Sequence, residues 1–149
     1  MMSQLIDYVT EEVWRQGHDV TKPDGLFRVS WMLEAWTTAM SWSGKITVER
    51  IRETGVKVEQ IKNLDGFRKC AVFVGGEEKV YHSEIVHRLE VLVKGHRKPL
   101  KFYREFEEIH PFVDGNGRTG KILLNYLNGT LENPVFPPND FWGYPIRNP

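Results

Sequence analysis

Apolar residues recur at the i, i+3, i+4 spacing of a helix face along almost the whole chain, and one stretch breaks that period. Chains patterned this way bury their stripes helix against helix, so the expected fold class is mainly α. Leu5, Ile6, Val9 and Val13 behind Ser3 predict a first amphipathic helix over residues 3 to 16, ended near Gly17. The loop from Gly17 to Gly25, with Pro23-Asp24-Gly25, reads as turn chemistry. Val29, Met32, Leu33, Trp36 and Met40 then predict the central core helix, from about Leu26 to Ser43, stopped by Gly44. Thr47 caps a short helix, Val48 to Thr54, with Gly55 just past its end, and residues 56 to 66 read as irregular connection. From Phe67 to Val74 the residues are β-branched and aromatic, and Gly75-Gly76, Val80 and Tyr81 follow, which is a hairpin signature. Ser83 caps a helix carrying Ile85, Leu89 and Leu92 and ended by Gly95. Pro99 opens another, striped by Phe102, Phe106 and Ile109, with Lys101, Arg104, Glu105, Glu107 and Glu108 largely on the solvated side. A last helix, with Ile122, Leu123, Tyr126 and Leu127, starts near Arg118 and closes at Gly129.

A chain of 149 residues has the usual size of one domain, so one compact unit over 1–149 is expected, with 1–25 as an N-terminal extension, 26–138 as the core and 139–149 as a tail. Lys+Arg and Asp+Glu both number 20, and no stretch concentrates positive charge, which argues against nucleic acid or an anionic membrane surface as partner. No uncharged apolar run is long enough to cross a bilayer. A single cysteine, Cys70, cannot form an internal disulfide and no basic-then-apolar leader opens the chain, so a reducing cytoplasm is the expectation. Trp31, Trp36 and Trp42 read as packing residues, because no Lys or Arg interleaves them, and Cys70 reads as packing too. Five of the eight prolines fall after residue 132, so the tail is expected to wrap the surface or cover the site through Phe136, Phe141 and Trp142.

Between the last two helices lies His110-Pro-Phe-Val-Asp-Gly-Asn-Gly-Arg-Thr-Gly-Lys121. A helix start behind Gly-Asn-Gly offers free backbone N–H groups and the positive end of a dipole, and the missing side chains let a phosphate come close. Arg118 and Lys121, three apart, are expected to lean over one face and reach further phosphate oxygens. Asp114 is a hard oxygen ligand placed to hold Mg²⁺, and His110 titrates near neutrality, as a base for a hydroxyl must. Gly115 to Lys121 also fits the first part of a P-loop, but Ile122 stands where Ser or Thr should hold Mg²⁺, and no buried parallel strand precedes it.

The loop resembles the Fic-domain signature HPFx[DE]GNGRxxR, with His110, Pro111, Phe112, Asp114, Gly115, Asn116, Gly117 and Arg118 all matching. Phe106-Glu-Glu-Ile109 and the Gly66-Phe-Arg stretch agree with it, and the resemblance extends over about Leu26 to Pro138. It implies a Fic-fold helical bundle with one β-hairpin flap beside the active-site loop, and a protein adenylyltransferase that moves AMP from ATP, with Mg²⁺, onto a Ser, Thr or Tyr hydroxyl of a target protein. On that reading His110 is the general base, Asp114 the metal ligand and Phe112 the anchor of the loop. Gly115, Asn116, Gly117 and Arg118 bind phosphates, and Arg68, Ala71, Val72 and Phe73 of the flap hold the target as an added strand. The departure is Lys121, where the family has a second Arg on the terminal phosphate: lysine keeps the charge and loses the planar fork. The family's inhibitory [ST]xxxE[GN] helix has one near match, Ser30 to Glu34 followed by Ala35, which reads as coincidence, so a separate inhibitory, antitoxin-like protein is the alternative regulator. Two other readings are a Doc-like protein kinase or other phosphate-linked transferase, disfavoured by Gly115 and Gly117 where Doc loops carry Ala and Lys, and a weakly active nucleotide-binding module.

Overall fold

The computed structural model describes residues 2–95 and 98–138. In chain order they form α1 (Met2–Arg15), α2 (Pro23–Met40), α3 (Val48–Val58), the strands β1 (Phe73–Val74) and β2 (Glu77–Glu78), a 3₁₀ turn (His82–Glu84), α4 (Ile85–Lys94), α5 (Pro99–Ile109) and α6 (Asn116–Asn128). The mainly α class with one small antiparallel hairpin is what the periodicity implies.

Local chemistry sets most boundaries, and several differ from the sequence expectation, among them the start of α4, where Ser83 lies in the 3₁₀ turn and Glu84 is the N-cap without a side-chain bond. Pro23-Asp24-Gly25 is the first turn of α2 and not a preceding turn, because Lys22 is extended at the N-cap and Pro23 sits at the start of the helix, where its missing N–H has no partner to lose. α3 is capped as expected by Thr47, whose hydroxyl accepts from Arg50 N at 3.1 Å, but it runs through Gly55 to Val58. Gly55 is not a stop: the Phe112 ring occupies the place of its side chain, and a Cβ there would lie 2.1 Å from Phe112 Cζ. The strand expected over Phe67 to Val74 shortens to Phe73–Val74, paired with Glu78 and Glu77 across the positive-φ pair Gly75-Gly76. That turn matches the right-handed twist of a tight hairpin. Within residues 67–72, Arg68 bonds to the loop and Val72 O accepts from Lys79 N.

Two apolar clusters meet at α6. Leu5, Tyr8, Val9 and Val13 of α1 pack on Met32, Ala35, Trp36 and Ala39 of α2, with Ile122 of α6. Ile51, Ile85, Leu89, Phe102, Phe106, Ile109 and Phe112 pack on Leu123. Every residue from Arg118 to Asn125 is buried, so α6, not α2, is the central helix, enclosed because α2, α3 and α5 all pack against it. Ile6, expected on the α1 stripe, is exposed, since a step of one residue turns about 100° away from Leu5. Met40 is exposed at the end of α2. Trp36 is fully buried, and its Nε1 donates to Leu131 O at 2.8 Å. After α6 the chain crosses α1: Tyr8 Oη donates to Val135 O at 2.8 Å, and Phe136 stacks on Tyr8 at 4.0 Å. Phe136 therefore wraps α1, while Phe141 and Trp142 lie outside the described residues. No helix among the described residues is long and apolar enough to cross a membrane.

The Gly55 notch gives a test that opposes helix propensity. Alanine in a helix interior ordinarily gains about 1 kcal/mol over glycine, but here overpacking against an anchored ring should outweigh that gain. Gly55→Ala is expected to be destabilising by about 2 kcal/mol net, measured as a lowered midpoint in chemical denaturation.

Candidate functional site

The site begins where α5 ends. His110 is the C-cap of α5 in the left-handed region, φ 52° and ψ 62°, the one non-glycine residue with positive φ among those described. Such a conformation costs a side-chain-bearing residue about 1 kcal/mol, so the surroundings must hold it. Arg68 does so. Its Nε donates to His110 O at 2.7 Å, its Nη2 to Ile109 O at 3.2 Å and to Val80 O, its Nη1 to Cys70 O at 2.9 Å, and its backbone N to Pro111 O at 2.9 Å. The resemblance sets Arg68 on the target-binding edge; in the structure it is 3% exposed, and its guanidinium is committed to these carbonyls. Ala71 and Phe73 are exposed and Val72 half-buried, so the outer face of the hairpin is formed without Arg68.

Past His110 the loop is closed by a reciprocal pair. Phe112 N donates to Asn116 Oδ1 and Asn116 Nδ2 donates to Phe112 O, both at 2.9 Å. Asn116 is buried, so its side chain serves the loop rather than an open face. Gly115, φ 76°, is the N-cap of α6, and the first intrahelical bond runs from Thr119 N to Gly115 O at 2.9 Å. The N–H groups ahead of Thr119 have no intrahelical acceptor, which is the donor set of an anion cradle.

Asp114 stands at the mouth of that cradle. Its Oδ1 accepts from Gly115 N at 2.8 Å, its Oδ2 faces Lys62 Nζ at 3.1 Å, and Arg118 Nη2 lies 3.5 Å away. Burial alone would push this carboxyl up; the Lys62 ammonium, the Gly115 N–H and the Arg118 charge outweigh it and hold it below the usual range. Asn63 fixes the backbone, with Nδ2 donating to Asp114 O at 2.8 Å and to Gly55 O at 3.0 Å. Beneath the mouth, fully buried Glu59 accepts from Arg28 Nε at 2.7 Å and Arg28 Nη2 at 3.2 Å. Arg118, also fully buried, donates to Val58 O at 3.2 Å and lies 3.5 Å from Glu59. Ligand atoms of His18, Glu59 and Asp114 come within 4.8 Å of one another. Glu59 is already neutralised by Arg28, so Asp114, partly exposed, is the carboxylate that can turn to a hard cation, and one carboxylate beside a phosphate cradle suits Mg²⁺.

His110 and Asp114 thus meet at one loop, as their spacing implies. For His110, burial comes first in pulling the imidazole below 6.5 and the Lys79 and Arg68 charges add to it, while a hydrogen bond to the Glu107 backbone and then the Asp114 charge oppose. Lys121 is elsewhere. Its Nζ lies 3.2 Å from Glu12 Oε2 of α1 and 5.3 Å over the Tyr103 ring, away from the face it was expected to share with Arg118. Burial would lower this ammonium, but Glu12, Tyr103 and Glu107 hold it above the ordinary lysine value. Glu107, expected on a solvated face, belongs to the same cluster: burial and then Glu12 push its carboxyl up, and its Oε1 is buried without a hydrogen bond. Glu34 is exposed and faces Lys57 at 3.5 Å, so the carboxylate that meets Lys121 is Glu12 and not the near-match position. Sequence reasoning misses His18, Arg28, Glu59, Lys62 and Asn63, which lie in loops or on a helix with no spacing that links them to residue 114. The one available signal is Arg28, a cation within an apolar helix.

Comparison with known proteins bears on the same stretch. The family model described as Fic/DOC family matches residues 83–127. A probable protein adenylyltransferase of Aquifex aeolicus is 55% identical over 39 residues, 24% of this chain and 12% of the relative. The protein adenylyltransferases Fic of Drosophila sechellia and Drosophila melanogaster are each 39% identical over 57 residues, 38% of this chain and 10% of the relative. The chain thus spans about a tenth of the length of these relatives.

The Glu12–Lys121 pair is open to a double-mutant cycle. Glu12→Gln and Lys121→Met should each cost about 3 kcal/mol by stranding the partner charge. The double variant should lose clearly less than the sum of the two, in denaturant titrations of all four proteins.

Proposed function

We propose, from the match of the Fic/DOC family model to residues 83–127, that the chain is a protein adenylyltransferase, transferring AMP from ATP to a Ser, Thr or Tyr hydroxyl of a target protein. One observation carries the reading: His110, held in its left-handed cap, and Asp114 flank a glycine-led helix start in a single clamped loop. The target hydroxyl attacks the α-phosphorus, a new P–O bond forms, and the bond to the bridging oxygen of the leaving pyrophosphate breaks. His110, neutral at pH 7 because its surroundings lower its proton affinity, takes the hydroxyl proton. The N–H groups at the start of α6 bind the phosphates, and Arg118, buried beneath them, adds positive potential where charge develops. Asp114 would hold Mg²⁺, which supplies charge neutralisation to the phosphate oxygens when bound. The exposed edge at Ala71, Val72 and Phe73 would take the target as an added strand.

The unit proposed is one Fic-like domain over 1–149, acting in the cytoplasm, with a separate inhibitory protein as a possible regulator. The weakly active nucleotide-binding reading draws on one specific observation: Lys121 is tied to Glu12, so a terminal-phosphate contact from that position needs the pair to open.

Incubation with α-³²P-labelled ATP and cell lysate should label protein, and His110→Ala should reduce the rate by about 10²- to 10⁴-fold. Unchanged labelling in that variant would sink the reading, and label from γ-phosphate would favour a kinase. The wild-type rate should stay level as pH falls from 8 toward neutrality and decline along an acid limb centred below 6.5, because the base works neutral and its proton affinity is lowered.

A further inference from the structure

The cation expected to reach the terminal phosphates, Lys121, is buried against Glu12 and Tyr103. Arg118 is fully buried as well. Something else must therefore meet the outer part of a phosphate chain seated on the start of α6. The connector between α1 and α2 is at hand. Its Gln16 side chain lies directly over Gly117: a Cβ there would be 2.7 Å from Gln16 Nε2 and 3.1 Å from Gln16 Cδ. Gln16 is oriented by Glu12, to which its Nε2 donates at 2.8 Å, so the carboxylate that withdraws Lys121 also positions Gln16. Two residues on, past the positive-φ turn at Gly17, His18 N donates to Val13 O at 3.3 Å, which folds the connector back toward the cradle. One ring nitrogen of His18 lies within 4.8 Å of an Asp114 carboxylate oxygen and of Glu59. The imidazole is 14% exposed, and its other near partner, Asp24, stands 3.8 Å away, beyond a hydrogen bond. A phosphate chain running from Gly117 toward Asp114 would thus pass Gln16 and His18.

Resting on the adenylyltransferase reading, we propose that His18 is a phosphate-contacting residue, donating a ring N–H to the terminal phosphates of the nucleoside triphosphate in place of the cation withdrawn at position 121. An imidazole N–H is a single directional donor that can bond a phosphate oxygen whether or not the ring is charged. The consequence is selectivity for chain length: the contact serves a triphosphate and is idle toward a monophosphate.

Calorimetric titration of the full chain with ATP and with AMP, both in excess Mg²⁺, separates the possibilities. His18→Ala should weaken ATP binding by about tenfold, the usual scale of a hydrogen bond to a charged group, and leave AMP binding unchanged. His18→Gln, which keeps an N–H donor, should recover part of the loss. In transfer assays the KM for ATP should rise more than kcat falls. An ATP affinity unchanged in His18→Ala, or equal losses toward ATP and AMP, would overturn the proposal while leaving the adenylyltransferase reading intact. A wild-type chain that binds no ATP would overturn both. Thermal unfolding of each variant confirms that folded proteins are compared; if His18→Ala does not fold, His18→Gln and His18→Asn decide by the same ATP-to-AMP ratio.

Discussion

The seating of Phe112 on Gly55 is the contact on which the site depends. The ring fills the space where a side chain on α3 would be, and the Asn116 amide closes the loop around it by two hydrogen bonds to the Phe112 backbone. With that ring fixed, His110 two residues before it and Asp114 two residues after it have little freedom left. Arg68 secures the other flank, holding the carbonyls of Ile109, His110 and Pro111 through three of its N–H groups. The strained backbone of His110 is maintained by contacts on both sides, which is how a sparsely populated conformation persists in a folded protein.

Electrostatics divides the buried charges of α6 into two groups. Arg118 belongs with Arg28, Glu59 and Asp114, where each cation faces a carboxylate. Lys121 belongs with Glu12, Tyr103 and Glu107, one turn further along, where a single ammonium serves two acidic groups. Buried ion pairs of this kind contribute little net stability against an apolar alternative, but removing one partner is costly. They constrain which residues can face a ligand more than they stabilise the fold. α1 therefore has a structural bearing on the site, since Glu12 both occupies Lys121 and orients Gln16.

Much of the fold is legible in the sequence, for identifiable reasons. The periodic stripes of α1, α4 and α5 point to their buried faces, and Thr47, Pro99 and Gly129 mark ends whose capping is local. The elements that differ are those where a distant residue decides a local matter. Gly55 looks like a helix stop, because a glycine after a short amphipathic run usually is one; only the ring of Phe112, 57 positions later, explains a glycine inside the helix. Most of the strand expected over 67–74 stays unpaired, because Arg68 directs that segment to the loop instead. Glu107 looks solvated because its neighbours in sequence are charged, yet it is half-buried and joins the cluster of Lys121 and Glu12.

The candidate site is legible in the sequence alone: a histidine, a carboxylate and a glycine-led helix start at fixed spacing are local properties, set by how a short loop joins two helices. Its wider membership is not. That Lys121 would be taken up by Glu12, that Arg68 would clamp the loop, and that Gln16 and His18 would come to lie beside Gly117 and Asp114 are all contacts between residues far apart along the chain. Helical periodicity says which face of an element is buried but not which neighbour covers it. Only the packing of α2, α3 and α5 around α6, with α1 laid against α2, decided that.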